Sequence, residues 1–292
     1  MADSNRASAA GVTPGIAGRD ASAIARTFER LRAERRTGLV TYVTAGDPDL
    51  ERSAAVLRAL DRAGADVLEV GVPFSDPMAD GPVIQRATER ALAAGTTLSD
   101  VLELVEDIRG DVRAPIVLFT YANPMLRMGL HDFAQRAHRA GVDGVLALDL
   151  PIEEAGELHA TLSAREIDTI FLLSPTTTTE RIRRAAAMGR GFLYAISRLG
   201  VTGARDTLAE GARALVLRIR AETPLPVALG FGISRPEHVA EAGQSADAAV
   251  VGSALVSVIA EHRDRASLES AVESYVRWLR GLGTGPQPME PV

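Results

Sequence analysis

Residues 62–71 read RAGADVLEVG. A helix-period segment, LERSAAVLRALDRAG (50–64), ends in a glycine; an aspartate and a short apolar run follow. Glycine suits the left-handed residue that closes a helix, and the aspartate opens the next strand. The same junction returns as RAGVDGVLALDLP at 139–151 and EAGQSADAAVVGS at 241–253. Its recurrence describes a repeating unit of helix, glycine stop and strand.

Working outward from these junctions, apolar runs predict strands at 38–44, 66–71, 115–121, 143–150, 168–174, 191–197, 226–232 and 246–252. Their apolar character is nearly continuous, as in parallel strands covered by helices on the outside. Helix-period segments lie between them, for example at 131–141 and 207–222, and another over 22–36 precedes the first strand. Eight β/α units in about 240 residues predict a closed (β/α)8 TIM barrel with an N-terminal helix and extra short helices. A doubly wound open sheet is the alternative, but it calls for a Gly-rich fingerprint after its first strand. TAGDPD (44–49) stands there instead. Residues 1–20, rich in Ala, Gly and Ser, are expected to be a disordered extension. Residues 21–282 then form one barrel domain, and the Gly/Pro-rich 283–292 a flexible tail.

Composition narrows the chemistry. The 292 residues carry a formal net charge of -6 with both signs mixed along the chain, so no basic tract suggests nucleic acid. No signal-like start or membrane-length apolar run is present, and the expected location is cytoplasmic. There are no cysteines, and all 32 basic residues are arginines. Thiolate and lysine-imine routes are therefore closed. The five histidines, His131, His138, His159, His238 and His262, fall in predicted helices rather than at strand ends. A histidine-ligated metal is not expected. Carboxylate acid–base chemistry remains.

The carboxylates stand out in LEVGVPFSDPMADGP (68–82), which holds Glu69, Asp76 and Asp80 and no basic residue. Barrels of this kind place their reactive groups at the C-terminal ends of strands and in the loops beyond. Alternation puts Val67, Glu69 and Gly71 on one strand face and Leu68 and Val70 on the other. If Leu68 and Val70 meet the helices, Glu69 points into the barrel mouth; the competing reading is a structural Glu held by backbone or an arginine. Burial near other carboxylates raises its pKa and lets it donate as well as accept protons near neutral pH. GFGIS (230–234) and GSALV (252–256) follow the last two strands, and Ser253 begins a helix. Such loops with a helix N-terminus hold a phosphate. SRLGVTGARD (197–206) adds Thr202 and Gly203 as candidate contacts.

Six motifs carry a likeness: TYVTAGDPD (41–49), LEVGVPFSDPMADGP, FTYANPM (119–125), ISRLGVTGARD (196–206), GFGISRPEHV (230–239) and GSALV. In this order and spacing the sequence resembles the tryptophan synthase alpha chain family, over about residues 22–280. The resemblance implies retro-aldol cleavage of indole-3-glycerol phosphate to indole and glyceraldehyde 3-phosphate. It makes Glu69 the acid that protonates indole C3 and Asp80 the aspartate that binds the indole N–H. Tyr194 is implied as a supporting residue, and Tyr42 and Phe119 as lining of the indole pocket. Gly203, Gly232, Gly252 and Ser253 are implied as phosphate contacts. Asp76 would face a partner subunit.

The resemblance also implies no cofactor on this chain and a β chain carrying pyridoxal phosphate in an α2β2 assembly. The loops at 72–82 and 197–206 are expected to close over substrate. A stand-alone indole-releasing lyase, another phosphate-binding barrel isomerase and a non-catalytic subunit are the alternatives.

Overall fold

The computed structural model describes residues 21–196, 210–230 and 232–285. The expected extension at 1–20, most of the tail at 283–292, and Thr202 and Gly203 lie outside the described residues. Eight strands form: β1 (Gly38–Thr44), β2 (Val67–Gly71), β3 (Ile116–Thr120), β4 (Gly144–Ala147), β5 (Asp168–Leu173), β6 (Leu193–Ile196), β7 (Val227–Gly230) and β8 (Ala248–Val251). They pair in sequence order, all parallel, and β8 closes onto β1. Every predicted strand except the first runs longer than the observed one. At β4, for instance, the chain turns away after Ala147, and Leu148 keeps only an amide bond to the Thr120 carbonyl at 2.8 Å.

Helix α1 (Ala23–Ala33) precedes the barrel and α2 (Leu50–Ala63) follows β1. Two helices, α3 (Pro82–Ala93) and α4 (Leu98–Ile108), separate β2 from β3. Two more, α5 (Ala122–Met128) and α6 (Leu130–Ala140), lead to β4. Among the described residues, single helices α7 (Gly156–Ser163), α8 (Thr179–Met188), α9 (Glu210–Arg220) and α10 (Pro236–Gly243) lie between the remaining strands. After β8 come α11 (Ser253–His262) and α12 (Leu268–Leu279). The N-terminal helix and the extra helices match the sequence expectation.

Two apolar cores result from the two faces of each strand. Leu68 and Val70 face outward, in one cluster with Leu57 and Leu60 of α2 and Leu102 and Val105 of α4. Val67 faces inward with Val40, Val117, Leu146, Ile170 and Val250. Ile24, Phe28 and Leu31 of α1 join that inner cluster and plug the N-terminal end of the barrel. Phe28 stacks on Phe192 at 5.5 Å between ring centres. Full burial of each such side chain stabilises the fold by about 1.5–3 kcal/mol.

The junctions explain how the strands are set in register. Gly64 and Gly141 close α2 and α6 in the left-handed conformation, at φ 92° and 81°. The third junction differs. Gly243 is the last residue of α10, and the cap, Gln244, is right-handed. Gly243 is there for space, because a Cβ on it would lie 3.1 Å from the Cβ of Thr37. The aspartates behave alike at all three. Asp66 accepts the Leu39 amide at 2.9 Å, Asp143 the Ile116 amide and Asp247 the Val227 amide, both at 2.8 Å. Each carboxylate is also paired with an arginine: Arg36, Arg109 and Arg220 respectively. These clamps tie each strand to the one before it at the barrel floor.

Candidate active site

Glu69 lies in the middle of β2, paired in register with Tyr42 on β1 and Val117 on β3. Because Leu68 and Val70 face the helices, its side chain points into the barrel. It is 0% exposed, and neither carboxylate oxygen has a hydrogen-bond partner among the described residues. Among the described residues no arginine or backbone group holds it. With nothing to compensate lost hydration, burial alone pushes the Glu69 pKa up to about 8. At neutral pH this carboxyl holds its proton.

Asp80 sits at the end of the loop after β2, just before α3. Its carboxylate accepts the Tyr121 hydroxyl at 3.0 Å. Burial raises its pKa to about 6, and the Tyr121 hydrogen bond works against that rise. The mouth thus contains two carboxyls whose environments separate their titrations, one protonated and one largely ionised at neutral pH. Gln85 of α3 holds the loop's backbone, donating to the Pro77 carbonyl at 3.3 Å and the Asp80 carbonyl at 3.0 Å. Asp76 is exposed on the outer side of the same loop and accepts the Ser75 hydroxyl at 2.7 Å.

Three aromatic side chains surround Glu69. Tyr42 is buried, meets Phe119 edge-on at 5.2 Å between ring centres, and shares a 3.3 Å hydrogen bond with Thr44. Tyr194 is buried on β6. Desolvation by burial raises the pKa of both phenols most; the charge of Asp80 adds next at Tyr42, and that of Glu69 at Tyr194. Both tyrosines stand over glycines. A Cβ at Gly71 would lie 2.7 Å from Cζ of Tyr42, and one at Gly230 would lie 2.8 Å from the Tyr194 ring. These two glycines are what allow the rings to cross the mouth.

Next to Tyr42 begins α11. A Cβ on Gly252 would come within 3.7 Å of Cβ of Tyr42. Gly252 caps the helix without any side-chain hydrogen bond, and Ser253 is its first residue. The first-turn amides that have no carbonyl partner inside the helix lie on this edge of the mouth, a ready anion site. Gly232, after β7, is left-handed at φ 51°. The structure thus brings Glu69, Asp80, Tyr42, Phe119, Tyr194, Gly232, Gly252 and Ser253 to the C-terminal end of the barrel. Asp76 belongs to that end but faces away.

Sequence reasoning missed Tyr121, although it lies within the quoted FTYANPM. It also missed the space-making role of Gly71 and Gly230. The available signal was an aromatic residue directly after a strand at the reactive end. All five histidines lie in helices, as expected. Among the described residues no helix is long and apolar enough to cross a membrane.

Fold and mouth together define a (β/α)8-barrel enzyme equipped for carboxylate acid–base chemistry. A family model described as tryptophan synthase alpha chain matches residues 28–280. A tryptophan synthase alpha chain from Solibacter usitatus is 49% identical over 261 residues, covering 89% of this chain and 98% of its own. Another, from Geotalea daltonii, is 51% identical over 233 residues, covering 80% and 88%. The crystal structure of tryptophan synthase subunit alpha from Legionella pneumophila superposes with a TM-score of 0.82 at 38% identity, covering 89% and 98%. A Mycobacterium tuberculosis tryptophan synthase structure gives 0.83 at 38% identity, covering 91% and 100%. The chain belongs to the tryptophan synthase alpha chain family. It is a carbon–carbon lyase of tryptophan biosynthesis, acting on indole-3-glycerol phosphate.

Proposed function

We propose that Glu69 and Asp80 carry the cleavage as an acid–base pair. The observation that supports this most is the buried Glu69 carboxyl inside the mouth, which has no hydrogen-bond partner among the described residues. A group held neutral there can hand its proton to C3 of an indole ring. The ring becomes an indolenine and accepts the electrons of the breaking C–C bond. Asp80, as the anion, accepts the indole N–H and stabilises the positive charge developing on the ring. The carboxylate left on Glu69 then takes the proton of the glycerol hydroxyl as the aldehyde forms. Each proton-transfer or charge-stabilising effect of this kind is worth about 10²–10⁴-fold in rate.

Tyr42 and Phe119 would line the ring's slot and Tyr194 support the reacting carbon. The phosphate would rest on Gly232, Gly252 and Ser253, with Thr202 and Gly203 as further candidates. Only Tyr42 on β1 separates the α11 start from Glu69, a separation that suits a substrate whose ring and phosphate are joined by three carbons. The reading also assigns Asp76 to a surface covered by a β chain, in an α2β2 assembly with pyridoxal phosphate on the β partner. It carries no cofactor on this chain and a cytoplasmic location.

The test is release of indole from indole-3-glycerol phosphate, followed against pH with and without a β chain. The reading requires kcat/KM to rise through about pH 6 as Asp80 ionises and fall through about pH 8 as Glu69 loses its proton. A profile flat from pH 5 to pH 9 in Glu69→Gln and wild type alike, with equal rates, would remove both residues from the mechanism. Full activity without the β chain would favour a stand-alone lyase.

A further inference from the structure

We propose that Tyr121 is a positioning residue for the cleavage, its hydroxyl holding the Asp80 carboxylate at the angle from which it meets the indole N–H. The inference rests on the role given to Asp80 above and deepens it. Asp80 lies near the end of a ten-residue loop, Val72 to Gly81, with prolines at 73 and 77 and Pro82 opening α3. The loop's backbone is fixed by its own turns, by Gln85 of α3 and by the Ala79 amide. None of these restrains the side chain of Asp80. Among the described residues the hydrogen bond to that carboxylate comes from Tyr121, at 3.0 Å to Oδ2.

The direction of this bond is fixed by a second one. The Ala79 amide donates to the Tyr121 hydroxyl at 3.2 Å, so the hydroxyl proton is free to point at Asp80. Tyr121 is itself rigid. It follows β3 directly, is 4% exposed, and stacks on Phe74 at 5.0 Å. One phenol therefore joins the barrel wall to both ends of a contact, the loop's amide and its carboxylate. With Oδ2 occupied, Oδ1 is left for the substrate. A carboxylate free to rotate about its own bonds would spend most of its time elsewhere, and near-attack geometry tolerates little of that.

The titratable groups around Asp80 are Tyr121 from β3 and Tyr42 from β1; Asp149, which accepts the Ala122 amide at 2.7 Å, acts on Tyr121. The Tyr121 hydrogen bond favours ionised Asp80, so its loss raises the pH at which Asp80 becomes competent. A packing role would be served equally well by phenylalanine, which keeps the stack on Phe74.

The experiment is Tyr121→Phe in the full chain with its β partner, assayed by indole release across pH. We expect kcat to fall about 10- to 100-fold with KM changed less than about threefold. The acid limb of kcat/KM should move up by about one pH unit. In an Asp80→Asn background the same substitution should cost no more than about twofold, since the group it positions is already disabled. 4-Aminophenylalanine at position 121, which keeps a donor, should restore most of the rate and decides the matter if Tyr121→Phe folds poorly. Wild-type kcat and an unmoved acid limb in Tyr121→Phe, beside an impaired Asp80→Asn, would overturn the inference alone. An unimpaired Asp80→Asn would instead overturn the reading on which it rests.

Discussion

Asp66 and Glu69 stand three residues apart, one just before β2 and one in its middle, and the barrel treats them in opposite ways. Asp66, 4% exposed, accepts two arginine nitrogens of Arg36 at 2.7 and 2.8 Å and the Leu39 amide at 2.9 Å. Glu69, 0% exposed, accepts nothing from the described residues. The contrast extends around the molecule. At the floor Asp143 and Asp247 have arginine and amide partners, and Asp168 holds Ser22 of the α1 cap at 2.5 Å with Arg190 beside it. At the mouth Asp47 is held in the same way by Arg90 at 2.7 Å, but among the described residues Glu69 has no partner and Asp80 has only the Tyr121 hydroxyl. The paired carboxylates serve stability, while Glu69 and Asp80 are kept reactive at a cost to stability.

The largest effect is expected from Glu69→Gln. Indole release should fall by about 10³-fold or more, with binding of an indole-alkyl phosphate by calorimetry changed little. The same substitution should stabilise the fold at high pH. Glu69 binds its proton more tightly folded than unfolded, with a folded pKa of about 8, so wild-type stability is fully present below the unfolded carboxylate range. It is lost progressively as pH rises through about 8. Glutamine carries no such proton. Melting temperatures of the two proteins should therefore be similar near pH 5, with the variant higher near pH 9. A variant no more stable than wild type at pH 9 would show that the mouth does not strain its carboxyl.

Asp66→Asn tests the other end. It leaves Arg36 and the Leu39 amide with a weaker acceptor, and should cost about 2–4 kcal/mol of unfolding free energy in urea. Its kcat should stay near wild type. A large loss of kcat with intact stability would erase the division between the two ends. The smallest effect is expected from Gly71→Ala. The added methyl pushes on the Tyr42 ring, so kcat/KM should drop about 5- to 20-fold while stability falls by about 1–2 kcal/mol. If Tyr42→Phe rescues that variant, the crowding is at the ring's hydroxyl end, as the geometry indicates.

Much of this was legible before folding. Helix period, glycine stops at Gly64 and Gly141, and Asp-led strands specified eight β/α units, because periodicity and turn chemistry are local. Alternation along VLEVG placed Glu69 inward, since neighbouring Leu68 and Val70 had to meet helices. Gly243 misled, because a glycine needed for space against Thr37 looks in sequence like one needed for a left-handed turn.

The amino-acid order by itself determined the fold class, the family, and a chemistry confined to carboxylates by the lack of lysine and cysteine. It could not determine that Glu69 would go without a partner among the described residues, nor that Tyr121 would reach Asp80 across 41 positions. Those facts depend on which strand closes against which. Closure of the barrel sets the C-terminal ends of β1, β2, β3 and β8 side by side, with Arg36, Arg109 and Arg220 on the clamps at the opposite end, and no local pattern encodes that distance.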